Sequence, residues 1–75
     1  MADIQKLVRL AQDEADDCAA AYLVQSGNKP LAPRAAHLYY VESRISQVDC
    51  TRAEGEAVHQ AFIERLNAKV AQEQK

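Results

Sequence analysis

Glu56-Ala57-Val58-His59 is the segment whose residue types and spacing come nearest to a chemical motif. A Glu-x-x-His step sets a carboxylate and an imidazole one helical turn apart, which is the ligand spacing of di-iron carboxylate bundles. Such a bundle needs two of these steps and further glutamates. This chain holds one, so a metal site through Glu56 and His59 requires a dimer, with Glu14 or Glu42 supplied by other helices. A half-buried histidine beside a solvated glutamate accounts for the same residues without metal, and no cofactor is expected.

Cys18 raises a different chemistry, since a thiol beside an imidazole can act as a nucleophile if its pKa is lowered and a third group orients the base. Asp13, Glu14, Asp16 and Asp17 crowd the same segment and act in the opposite direction. Cys18 therefore reads as a core thiol. Cys50 falls at the end of a different segment, roughly ten ångströms further along by helical rise, so a Cys18–Cys50 disulfide is not expected. No HExxH, GxSxG or P-loop is present, and the chain does not read as an enzyme.

Two groups of residues suit binding. His37, Tyr40, Arg44 and Gln47 recur at spacings of 3, 4 and 3, continued by Tyr39, and form a polar aromatic stripe. Tyrosine and arginine are favoured at protein interfaces because each covers area while keeping a polar handle. With Arg34 at a helix start, His37, Tyr40 and Arg44 also suit a phosphate or nucleotide, so a ligand-binding helical dimer is the alternative. The second group is Asp13, Glu14, Asp16 and Asp17, four acids in five positions, which either form a solvated face or present a phosphate-like surface to a basic groove. The partner-binding candidates are thus Asp13, Glu14, Asp16, Asp17, Tyr39, Tyr40 and Arg44.

Positioning these residues falls to helices. The 75 residues suffice for one domain, residues 1–75. Hydrophobic residues make up 48% of them, but 14 are alanine and only 17 are Val, Ile, Leu, Met or Phe, so the core must be thin. Two glycines, two prolines and four aromatic rings speak against a β-sandwich or barrel.

The spacing of Ile4, Val8, Ala11, Ala15, Cys18 and Tyr22 predicts a helix over about 3–26, flanked by Leu7 and Ala19 and ended at Gly27. Pro33 suits a first helical position, and Leu38, Val41, Ile45 and Val48 predict a second helix over 33–48 with that face inward. Thr51-Arg52-Ala53-Glu54 has the form of a capping box opening a third helix over 52–73. There Val58, Phe62, Ile63, Leu66 and Val70 form one face, while Ala53, Ala57, Ala61, Ala68 and Ala71 lie largely on a second, as if the helix had two neighbours. Short connections favour a small all-α, antiparallel three-helix arrangement. Its lean core is expected to be completed by homodimerisation.

Net charge is −2, with −3 over residues 1–26, +1 over 27–51 and zero over 52–75. Nothing in that balance draws the chain onto nucleic acid or an anionic membrane, and direct nucleic-acid binding is disfavoured. The N-terminus lacks the basic start and apolar run of a signal peptide, and no run approaches a membrane span, so a cytoplasmic protein is expected. What remains is a small non-enzymatic interaction module. Size and style suit a regulator or inhibitor of phage or prophage type that covers a surface of a larger partner, a nucleic-acid-binding protein among the options.

Overall fold

A computed structural model describes residues 4–26, 29–47 and 50–73. All regular elements among them are helical: α1 is Ile4–Ser26, α2 is Pro33–Glu42, a 3₁₀ turn follows at Arg44–Gln47, and α3 is Arg52–Glu73. The expected starts and ends of the first and third helices are thus met within a residue wherever they are described. The expected cap at Gly27 and the expected core position Val48 lie outside the described residues.

The principal packing is α1 against α3, along seams that both follow the i, i+4 row. On α3 the seam is Val58, Phe62, Leu66 and Val70; on α1 it is Leu7, Ala11, Ala15 and Ala19, closing on Tyr22. Large side chains of α3 meet small ones of α1, a combination that fills space while letting the helices approach closely. This turns α1 from its expected heptad seam, so Ile4 is exposed and Val8 and Cys18 are half-buried. The alanine face of α3 gains no second neighbour among the described residues: Ala53, Ala57, Ala68 and Ala71 are exposed and Ala61 is half-buried.

The beginning of α3 matches the expected capping box. Thr51 Oγ1 accepts from the Glu54 N–H at 3.2 Å, and the Thr51 N–H donates to Glu54 Oε1 at 2.9 Å. Two donors left without intrahelical partners are thereby satisfied.

The second helix is shorter than its apolar periodicity implied. Ser43 adopts an extended conformation (φ −76°, ψ 157°), and both its N–H and its Oγ turn back to the Tyr40 carbonyl, at 3.1 and 2.6 Å. Ser46 Oγ lies within donating distance of the Val41 and Ser43 carbonyls, at 2.9 and 2.8 Å. Serine hydroxyls that compete for backbone carbonyls shorten helices in this way. After the break Ile45 is buried, but Leu38 and Val41 are exposed, contrary to the face expected to point inward.

Candidate interaction surface

The orientation of α2 follows from its two tyrosines. Ala36, fully buried, makes the close contact with the core, and the rings of Tyr39 and Tyr40 pack against the core on either side of Ala36. Tyr39 meets the Tyr22 ring of α1 edge-on at 6.3 Å, while Tyr40 meets Phe62 and His59 of α3 at 5.4 and 4.5 Å. Adjacent residues on a helix are rotated by about 100°, so neighbouring tyrosines can serve different helices. An aromatic ring buries more apolar area than leucine or valine, which favours this orientation over one with Leu38 and Val41 inside. Burial raises both phenol pKa values; Cys18, Tyr22 and Glu42 add to the effect at Tyr39, and Cys50 adds to it at Tyr40.

Tyr22 also holds the segment before α2. Its hydroxyl lies 2.9 Å from the Lys29 carbonyl and 2.8 Å from that of Pro30, so the one phenolic proton is shared between two backbone acceptors. Tyr22 is legible in the sequence as a seam residue, but this second task has no signal there.

The polar stripe is divided by the helix break. Arg44 reaches Glu14 of α1 at 3.3 Å, whereas the His37 ring lies 5.5 Å from that of His59 on α3. His37, Tyr40 and Arg44 thus serve two different neighbours and do not converge on one anion position. Arg34 is exposed at the start of α2, where Ala32 provides no side-chain cap.

Half of the acidic cluster is answered from within the molecule. Arg65 of α3 grips Asp16 through two hydrogen bonds, Nε to Oδ1 at 2.8 Å and Nη2 to Oδ2 at 3.2 Å. Those bonds outweigh the cost of desolvation and hold the Asp16 carboxyl below its ordinary pKa, with the nearby charges of Arg65 and Lys69 adding to the effect. Glu14 is taken by Arg44. Asp13 and Asp17, one turn apart, remain exposed and form no ion pair among the described residues. Arg65 carries no signal in the sequence because its partner lies 49 positions away.

Glu56 points to Arg52 at 3.6 Å in an exposed i, i+4 pair, and among the described residues no three His, Cys, Asp or Glu side chains gather to hold a metal. His59 packs beneath Tyr40 with Nε2 buried and without a hydrogen-bond partner among the described residues, and Cys18 lies beside Tyr39 on the other flank of α2. Both cysteines are free thiols. Burial first, and then Glu14, Asp17 and Glu42, push the Cys18 thiol pKa up, away from nucleophilic character.

With the tyrosines turned inward, α2 presents Arg34, Leu38 and Val41 outward. Leu38 is 55% and Val41 48% exposed, and they stand one turn apart on a ten-residue helix. Comparison with protein-family models, curated proteins and solved structures returned no match. No helix is long and apolar enough among the described residues to cross a membrane.

Proposed function

We propose that this chain is a small, soluble, cytoplasmic interaction module without enzymatic activity, which works by covering a surface of another protein with the outward face of α2. In this reading the three helices run up, down and up. The order of contacts supports that path, because Tyr22 meets Tyr39 while Glu14, further back on α1, meets Arg44. The observation that carries the functional reading is the outward pair Leu38 and Val41. Two adjacent aliphatic side chains on a short helix, while its aromatic rings point inward, form an apolar strip whose removal from water favours a complex. A regulator or inhibitor that blocks a larger partner needs only such a surface.

The test is a pair of substitutions, Leu38→Glu and Val41→Glu, in a tagged chain used to capture partners from a bacterial lysate. The expected outcome is unchanged helicity with loss of the captured protein, since neither residue supports the core. Capture of the same protein by wild type and double variant alike would refute the α2 surface.

A second reading rests on Asp13 and Asp17, the two acids of the cluster that form no ion pair among the described residues. There the ridge of α1 occupies a basic groove, such as that of a nucleic-acid-binding protein. Loss of capture in Asp13→Lys, with Leu38→Glu still active, would select it.

A further inference from the structure

Two exposed stripes with the same spacing lie on α1 and α2. On α1 they are Asp17, Ala21 and Val24; on α2 they are Arg34, Leu38 and Val41; each set follows the i, i+4, i+7 pattern of one helical face. All six residues are exposed, and Val24, at 87%, is the most exposed of the large apolar residues among those described.

We propose that the occupant of the outward α2 face is a second copy of this chain, with each α2 stripe laid parallel on the partner's α1 stripe. In that register Arg34 meets the partner's Asp17, Leu38 meets the partner's Ala21, and Val41 meets the partner's Val24. Charge and size match together: a cation faces an otherwise unpaired anion, and a large side chain faces a small one. Pairing of this kind sets both orientation and register: sliding by one turn in one direction places Arg34 opposite Ala21 and removes the charge pair, and in the other it brings Arg34 to Asp13 but sets Leu38 against the Asp17 carboxylate.

The same register closes by symmetry. Tyr22 of α1 stands beside Tyr39 of α2, and Glu14 stands beside Arg44, so residue numbers fall along one helix as they rise along the other. A twofold axis perpendicular to both helices, at the level of Tyr22 and Tyr39, then brings α1 of one copy alongside α2 of the other in the same direction. Both stripe contacts form at once around that axis. The contact is isologous and leaves no open end for further growth. The molecule measures 41 × 18 × 15 Å, so one broad side approaches the roughly 800 Å² per partner of a standard interface only if most of it is used. The expected dimer is therefore small and reversible.

This inference rests on the reading of the α2 face as a docking surface, and the experiment separates the two. Sedimentation equilibrium at low salt, across the micromolar range, is expected to show wild type passing from the mass of one chain to that of two. Asp17→Arg and Arg34→Glu should each weaken association by about tenfold or more, with circular dichroism unchanged. Mixed in equal amounts, these two variants should recover a dimer. One contact then sets the introduced arginine against the introduced glutamate, and the other keeps the native Arg34 and Asp17 pair. A wild type that keeps the mass of one chain throughout, or two variants that fail to complement, overturns the second-copy proposal. In either case, loss of a captured protein in the Leu38→Glu, Val41→Glu variant would still support docking of a different partner.

Discussion

Single side chains in this molecule hold elements together that share little core. The Tyr22 hydroxyl fastens the segment before α2 through the Lys29 and Pro30 carbonyls, while its ring stays in the seam. Tyr22→Phe keeps the ring and removes the shared proton, so it is expected to cost about 1 kcal/mol. In a domain of this size that lowers the melting temperature by about 4–8 °C. A melt indistinguishable from that of wild type would show that the contact has no net worth. Asp16 carries a pH dependence of definite sign. Because the Arg65 hydrogen bonds hold its folded pKa below the unfolded value, its contribution is fully present above the unfolded value and is lost as pH falls through the lowered folded one. The stability difference between wild type and Asp16→Asn should therefore be constant near neutral pH and shrink below about pH 4. The pair is partly exposed, so added salt should shrink it as well. Urea denaturation of both proteins at about pH 6 and about pH 3, above and below the ordinary aspartate value, measures this directly.

At the scale of elements, α2 separates what periodicity shows from what it hides. Leu38, Val41, Ile45 and Val48 satisfy the helical template, yet Ser43 ends the helix and the tyrosines decide which side faces inward. Leu38→Ala is accordingly expected to change monomer stability by less than about 0.5 kcal/mol, as for an exposed position. Ala36→Leu forces a larger side chain into the contact between α2 and the core and should cost about 1–3 kcal/mol. The opposite ranking in thermal or urea melts would restore the inward leucine face. The capping box at Thr51 and Glu54 was legible because its signal is local and stereochemical, and so was Pro33 at the start of α2. The seam of α1 was legible only as helical, since Leu7 and Ala19 compete with Val8 and Cys18 for the same template and the row of large residues on α3 chooses between them. Of the candidate surfaces, the acids were visible as a cluster. Their division into paired and unpaired members depended on Arg44 and Arg65, which reach them only through the packing of other elements.

For the molecule as a whole, the burden falls on few residues. Phe62, Leu66 and Val70 are the largest fully buried side chains, set against a row of alanines that contribute closeness more than area. A domain of this length is stable by about 4–11 kcal/mol at the usual value per residue. Phe62→Ala removes the largest of those side chains and opens a cavity, at a cost of about 3–5 kcal/mol, a large part of that total. The loss extends beyond the seam, because Phe62 also supports the Tyr40 ring and with it the attachment of α2 to α3. Phe62→Ala is therefore expected to unfold with a shallow, weakly cooperative urea transition, whereas Phe62→Leu, which keeps most of the volume, should lose about 1 kcal/mol and stay cooperative. If Phe62→Ala instead unfolds sharply with a loss below about 1 kcal/mol, the α1–α3 seam is not the centre of stability. Self-association would change the balance further, since an equilibrium that favours folded pairs raises the melting temperature with protein concentration. That concentration dependence should vanish in Leu38→Glu and persist in Phe62→Leu, separating stability supplied by the seam within one chain from stability supplied by a second copy across α2.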